Sequence, residues 1–573
     1  MMNREVPEDS GTASIYSNDR APSTSSSDVT VLVANGHGTL TVDPEASSVI
    51  QRAPRRGRQS DDASAPEPRQ PVRVALSRLH RVPWPLIPVL MVQAALTLKL
   101  VWTNTAFQDE ALYLWAGRLE WDHILHGAPV PPFSTYFSGA PVLYPPLAAA
   151  AAKLGGLTGA RLLSLGFMLL ATCFLWSAAG KLYGRRPAFF AAALFAVLGP
   201  TLHLGAFATF DAMSLCLIAA SAWCVTRIGD RRDGFRWVCL AAIALTLANA
   251  TKYASALFDP VVVGMTMLSA FPAPGGKQAL RQGAAIGAYV IAGVVLLLTL
   301  GGAYYQVGVD QTTLQRIEGT SSPHAVLTAA SHWVGIVAVL AFAGALTCLG
   351  WRRGRSLRLL LPALFLIAVL LAPAQQARIY TLTSLDKHSD FGAWFGAIGA
   401  AYAIELVLSR LRPRLLSYFA AGLCAIAAVL PAKSGLAQAR ALSIWPNSTR
   451  LNAILGPLID NSSGRILDED PAVSEYGLPK AGAAWRRWSN LRSIYLPDNH
   501  SISVGVSQAG NPAIYAPYIR EDYFSVVVLD YREAPGLAYS ITNDLKRNHA
   551  YHLADVVPYG NGRAVIWVLG GNK

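Results

Sequence analysis

Residues 141–158 read Pro141-Val142-Leu143-Tyr144-Pro145-Pro146-Leu147, then Ala148 to Ala152, then Lys153-Leu154-Gly155-Gly156-Leu157-Thr158. This stretch decides the fold. If it crosses a membrane, every later segment changes side. Its apolar run from Leu147 to Leu154 is shorter than the roughly 20 residues a crossing helix needs. Pro145, Pro146, Gly155 and Gly156 interrupt it further. We read it as an interfacial or re-entrant helix. A crossing here would turn five basic loops outward, against the rule that Lys and Arg stay inside.

The neighbouring segments then fall into one frame. A first span over about 85–105 follows Arg69, Arg73, Arg78 and Arg81, so the N-terminus is inside. The chain emerges at Asp109–Glu110 into a long outer loop, about 105–160, expected to be partly helical. Span two, about 161–180, ends in Lys181, Arg185 and Arg186. Spans follow over about 187–204, 210–227, 237–250, 254–271, 283–303, 326–350, 357–373, 391–409 and 415–432. Their alternate loops carry Arg227 with Arg236, Lys277 with Arg281, Arg352 with Arg358, and Arg410 with Arg414. The fold expected is a polytopic α-helical membrane protein of about 11 spans, with its C-terminal region outside.

Composition agrees. The 573 residues are 52% hydrophobic and only 14% charged, against about 25% charged in soluble domains. The net charge of +13 sits in short clusters between apolar spans, which argues against nucleic acid as a partner. The six cysteines all lie in apolar segments at no metal-ligand spacing. Residues 1–80 are rich in Ser, Pro and Arg and read as a disordered, basic cytoplasmic arm. The multi-span region is expected over 81–435.

In this frame the ionisable residues collect on the outer side. The first loop supplies Asp109, Glu110, Arg118, His123 and His126. Later outer turns supply His203 and Asp211, then Lys252 beside Tyr253, with Asp259 deeper, then Asp310, Arg316 and Glu318, and finally Arg378, Lys387 and His388. Carboxylates at a membrane edge need a partner or a cavity. Lys252 and Asp259 are seven residues apart, so they share a face if one helix holds both. His123 and His126 have metal-ligand spacing but no third ligand beside them. Arg316, Glu318 and Arg378 read first as solvated anchors.

These residue types suit one chemistry. Displacement at the anomeric carbon of a sugar on a lipid phosphate needs a carboxylate for the acceptor's proton. It also needs cations for the leaving phosphate. Asp109 can be the base, and Lys252, Arg378 and Lys387 are candidate phosphate partners.

Several stretches occur in a telling order. Asp109–Glu110 follows the first span, with Tyr113 just after. Tyr144-Pro145-Pro146-Leu147 lies late in the first loop. Arg161-Leu162-Leu163-Ser164 opens span two and Tyr183-Gly184-Arg185-Arg186 closes it. Asp211, Ala250-Thr251-Lys252-Tyr253 and Lys387–His388 follow. Over about residues 85–410 the sequence resembles the GT-C membrane glycosyltransferases, in the branch of the protein O-mannosyltransferases and lipid A aminoarabinose transferases. The resemblance implies an inverting transferase with a polyprenyl-phosphate sugar donor and a lipid, polysaccharide or protein acceptor. By position it makes Asp109 and Glu110 the catalytic pair, with Asp109 as base, and it has Glu110 and Asp211 shape the acceptor or metal environment. Lys252 would contact the donor phosphate. Tyr253, Tyr144, Arg118, Lys387 and His388 complete the expected substrate-binding set. Arg118 matches only loosely the basic residue that follows the acidic pair in some members. Tyr144 directly precedes Pro145, where some members place a Lys. The resemblance fixes no cofactor and leaves open whether a divalent metal ion is needed.

Residues 445–573 alternate strand and helix signals and are expected to form an extracytoplasmic α/β domain. Arg465–Leu467, Phe524–Leu529 and Ala564–Leu569 read as strands, and 534–548 as a helix. Its aromatics Trp485, Trp488, Tyr495, Tyr515 and Tyr518 could stack on sugar rings, but most of them read as core. The competing functional reading is a transporter or lipid flippase. That reading would place charges near the bilayer midplane and repeat one half in the other; neither pattern is visible.

Overall fold

The computed structural model describes residues 84–135, 137–228, 234–269, 276–314, 318–350, 357–410, 432–491, 493–495, 501–503, 512–532 and 534–570. The arm over 1–80, the basic residues 231 and 232, Arg316 and nearly all of the span expected over 415–432 lie outside them.

The chain is mostly helical up to residue 460. Helices α1 (Leu86–Val101), α2 (Gln108–His126) and α3 (Tyr144–Tyr183) come first, then α4 (Arg185–Ala196), α5 (Gly199–Ala206), α6 (Phe210–Val225) and α7 (Gly234–Thr251). After them run α8 (Asp259–Ser269), α9 (Gly276–Val309), α10 (Pro323–Ala345), α11 (Leu361–Arg378) and α12 (Leu385–Leu408). Residues 432–441 form α13. By length and composition six helices can cross a membrane: α3, α7, α9, α10, α11 and α12. The pair α4–α5, bent by 66°, makes a seventh. Three apolar helical stretches, α1, α6 and Tyr253–Ser269, are shorter. The first ten stretches read from hydropathy each fall on an apolar helix, but they are not ten helices of spanning length.

The deciding segment is helical and joined to span two without a loop. Within α3, however, Gly155 (φ −142°, ψ 23°) and Gly156 (φ 61°, ψ −155°) leave helical geometry. The left-handed φ at Gly156 is one that glycine adopts without steric cost. Tyr144–Leu154 is therefore a separate helical piece, and the long apolar run begins beyond it.

A continuous apolar core joins α3 through α12. Phe391, Trp394, Phe395 and Ile398 of α12 have no exposed surface. This burial makes α12 the central post of the bundle, flanked by α10 and α11.

From residue 449 the chain forms an α/β layer. Helix α14 (Thr449–Asp460) precedes β1 (Arg465–Asp468), and α15 (Pro471–Gly477) and α16 (Pro479–Ala483) precede β2 (Trp488–Ser489). A hairpin β3 (Ser493–Tyr495) and β4 (Ser501–Ser503) stands apart. Then come α17 (Ala516–Arg520), β5 (Phe524–Leu529), α18 (Pro535–Arg547), β6 (Tyr551–Tyr559) and β7 (Gly562–Leu569). The five-stranded sheet has the order β2-β1-β5-β7-β6, parallel across β2-β1-β5 and antiparallel beyond. The three expected strands and the helix are present. Strand β6 was not expected, because its charged and proline positions hide the alternation. Trp488 and Tyr515 are core, and Trp485 donates from Nε1 to Pro129 O at 3.1 Å.

Two buried carboxyls in this layer make its stability pH-dependent. Burial, more than neighbouring charge, pushes Asp468 up to about 7. Burial, with Asp468 and Asp470 nearby, holds Glu475 well above the usual range. Raised acids favour the folded state at low pH, so stability should fall as pH rises from about 4 through 7. While the folded protein keeps a proton that the unfolded chain has lost, each group costs about 1.4 kcal/mol for every step of one in pH. Amide protection factors in this layer at pH 5 and pH 8, corrected for the pH dependence of intrinsic exchange, measure it; higher protection at pH 8 would contradict the assignment.

Candidate active site

Four charges meet where helix ends converge. Asp109 lies in the first turn of α2 and Asp211 in the first turn of α6. Both positions suit an anion, because a helix N-terminus carries partial positive charge. Lys387 lies in the first turn of α12, where the same field opposes a cation. Compensation comes from Asp109, whose Oδ2 accepts from Lys387 Nζ at 2.6 Å. Lys252 follows α7 in an extended conformation and ion-pairs with Asp211. Both pairs are in electrostatic reach of each other: Lys387 feels Asp211, and Lys252 feels Asp109 and Lys387.

Exposure separates the four. The side chain of Asp109 is 37% exposed and that of Lys387 10%, while Lys252 is at 4% and Asp211 at 1%. Asp109 is thus the carboxylate that an incoming group can reach. Beneath it lies Tyr113. Burial first, then the charges of Asp109 and Asp211, hold the Tyr113 hydroxyl well above its ordinary pKa, so it stays protonated. The cations also rest on rings, with Lys387 Nζ 5.4 Å from the Phe107 centroid and Lys252 Nζ 5.0 Å from Phe210.

Glu110 belongs to a different assembly. It has no exposed surface and takes Arg161 bidentately, Nε to Oε1 at 2.8 Å and Nη2 to Oε2 at 2.7 Å. Its oxygens also accept from Ala208 N at 2.7 Å and Phe107 N at 3.3 Å. Arg161 donates in turn to the carbonyls of Val101 at 2.6 Å and of Asn104 and Thr105 at 3.1 Å. This buried knot ties the end of α1, the start of α2, α3 and the turn before α6 together. The sequence reading placed Glu110 beside Asp109 in the chemistry; the structure commits it to Arg161.

Other expected residues divide. Tyr144 is 1% exposed, with its hydroxyl 3.1 Å from Ser164 Oγ, and packs as core. Arg118 donates to Tyr476 O at 3.1 Å and stacks over the Tyr476 ring at 4.5 Å, which docks the α/β layer rather than a substrate. Trp115 Nε1 adds a bond to Gly482 O at 2.9 Å. His388 is buried and bonds Gln376 through Nδ1 at 2.7 Å. Tyr253 hangs beside Lys252 with its backbone N–H on Ser138 O at 2.9 Å. Asp259 accepts from Asn249 Nδ2 at 2.7 Å and leaves Lys252 to Asp211. Arg378 is exposed. Among the described residues no group of three His, Cys, Asp or Glu side chains is arranged to hold a metal ion. His123 bonds Ala128 O at 2.7 Å, and His126 lies 3.9 Å from Asp122. A groove of about 500 Å³ lined by His324, Thr328, His332 and Trp333 runs along α10.

Lys252 owes its position to a close backbone approach. Ala140 N bonds Ala250 O at 2.7 Å, and a Cβ on Gly139 would stand 2.0 Å from Thr251 O. Gly139→Ala should therefore destabilise the protein by about 1–3 kcal/mol and displace Lys252. Thermal unfolding in detergent checks this, and an unchanged midpoint would contradict it.

Solved structures resemble this chain in fold. ArnT from Cupriavidus metallidurans, bound to undecaprenyl phosphate, aligns at a TM-score of 0.53 and 15% identity, over 85% of this chain and 99% of that one. The archaeal oligosaccharyltransferase AglB from Archaeoglobus fulgidus, in complex with an inhibitory peptide and a dolichol-phosphate, aligns at 0.53 and 14%, over 79% and 72%. This chain has the GT-C fold. Residues 140–301 also match the family of dolichyl-phosphate-mannose-protein mannosyltransferases. No curated protein matches the sequence significantly. Arg161, quoted above only as the start of a motif, has a role that its sequence position signals, since an arginine inside an apolar helix needs a partner. Asp386, absent from the residues expected at the site, has its Oδ2 3.7 Å from His203 Nε2.

Proposed function

We propose that this protein is a membrane glycosyltransferase that moves a sugar from a polyprenyl-phosphate donor to an acceptor at the outer face. The observation that carries the reading is the cluster of Asp109 with Lys387 and Asp211 with Lys252 at converging helix ends. The match of residues 140–301 to a lipid-phosphate-dependent mannosyltransferase family supports it.

Asp109 acts as general base. Lys387 engages Oδ2, and no described group bonds Oδ1. Oδ1 takes the acceptor hydroxyl's proton as the acceptor oxygen bonds the anomeric carbon. The bond from that carbon to the phosphate oxygen breaks, and the electron pair leaves with the phosphate. Attack opposite the leaving group inverts the anomeric centre. Lys252 and Lys387 hold the phosphate, since each ammonium has three donors and can serve a carboxylate and a phosphate together. Asp211 holds Lys252 in place. Glu110 is a positioning residue. The α/β layer lies on the same outer side and caps the site through Trp115 and Arg118. The acceptor is a lipid, polysaccharide or protein hydroxyl.

Purified protein in vesicles, given a panel of polyprenyl-phosphate-linked hexoses and pentoses, tests the reading. Release of polyprenyl phosphate with an inverted product is expected. Movement of the intact donor across the bilayer, with no bond cleaved, would instead indicate a transporter.

A further inference from the structure

Helices α5 and α12 meet through polar side chains. Thr201 Oγ1 donates to Asp390 Oδ1 at 2.6 Å, and one turn earlier on α12 Asp386 Oδ2 faces His203 Nε2 at 3.7 Å. The His203 ring packs on Phe207 with centroids 4.8 Å apart. These contacts fix the imidazole with Nε2 toward Asp386. Nδ1 is left buried without a hydrogen-bond partner among the described residues, in a side chain only 6% exposed. A few residues on, Thr209 is 1% exposed, and its Oγ1 has no described partner either. Buried polar atoms of this kind are rare in native proteins and call for an occupant.

The place of His203 says what that occupant is. Its imidazole is in electrostatic reach of Asp386, Lys387, Asp211 and Asp109. Asp386 adjoins Lys387, which pairs with Asp109, so His203 sits beside the charged cluster. With Nε2 turned toward Asp386, Nδ1 is the ring nitrogen left to bond a ligand, as donor or acceptor according to the tautomer. A ring nitrogen and a hydroxyl (Thr209 Oγ1 both donates and accepts) match a sugar hydroxyl. An apolar chain would leave both unpaired.

We propose that His203 Nδ1, with Thr209 Oγ1, binds a hydroxyl of the transferred sugar and sets which sugar is accepted. This rests on the glycosyltransferase reading. Asp386 orients the imidazole, and the Thr201–Asp390 bond holds α5 in register.

The test compares His203→Phe, which keeps the ring against Phe207, with His203→Asn, which keeps a polar atom near Nδ1. For each panel donor that the wild type turns over, donor KM, acceptor KM and kcat are measured. Binding of sugar-free polyprenyl phosphate is measured on the same preparations. Donor KM should rise about tenfold in His203→Phe, the worth of one hydrogen bond. Acceptor KM and polyprenyl-phosphate binding should hold, and His203→Asn should recover most of the loss. One deoxy donor should be used equally by wild type and His203→Phe. An unchanged donor KM, a rise in acceptor KM instead, or equal losses for every deoxy donor would overturn the proposal. If His203→Phe does not fold, His203→Asn and the deoxy donors on wild type decide. Failure of the wild type to transfer any sugar would defeat the functional reading itself, which is a separate result.

Discussion

An Asp109→Asn protein is expected to transfer sugar about 100- to 10,000-fold more slowly than the wild type, the usual range for loss of a general base. Amide and carboxylate have the same shape, so the Asn side chain still reaches Lys387. Binding of polyprenyl phosphate should be kept or slightly strengthened, because Lys387 loses an anionic competitor. Single-turnover transfer and equilibrium binding, measured on one preparation, separate the two effects. Transfer within threefold of wild type would remove Asp109 from the chemistry. Loss of binding with loss of transfer would make it a structural residue.

Arg161→Met should act differently. It leaves Glu110 buried at 0% exposure without its counter-charge and takes the donor from three carbonyls. Removing one partner of a buried pair costs about 3–5 kcal/mol. The first and third helices and the turn before Asp211 should loosen together, so stability and transfer fall in parallel. Adding Glu110→Gln should restore part of the stability, since no buried charge then remains unpaired. Thermal unfolding of both variants checks this. An unaltered midpoint in Arg161→Met would show that the knot is dispensable.

Much of this site was legible in the sequence, for physical reasons. Carboxylates and lysines are costly at the ends of apolar helices, so Asp109, Asp211, Lys252 and Lys387 stood out one by one. Their pairing did not. Lys387 and Asp109 are 278 positions apart, and no local pattern spans that distance. Glu110 was misread because it adjoins Asp109. Successive residues on a helix point about 100° apart, so one faces Lys387 and the other Arg161. Lys252 and Asp259 were placed on a shared helical face by their spacing. The chain instead becomes extended at Lys252 (φ −149°, ψ 115°), and the two side chains part. Arg118 and Tyr144 are expected to bind substrate, yet their polar groups engage Tyr476 and Ser164. The helical break at Gly155–Gly156 was signalled directly, since paired glycines weaken any helix.

The most direct test of the central claim is a cryo-electron microscopy structure of the purified protein with polyprenyl phosphate. The phosphate should lie against Lys252 and Lys387, with Asp109 facing the position left by the sugar. A phosphate bound elsewhere, such as the groove beside His324 and His332, with the four charges still paired among themselves, would contradict it.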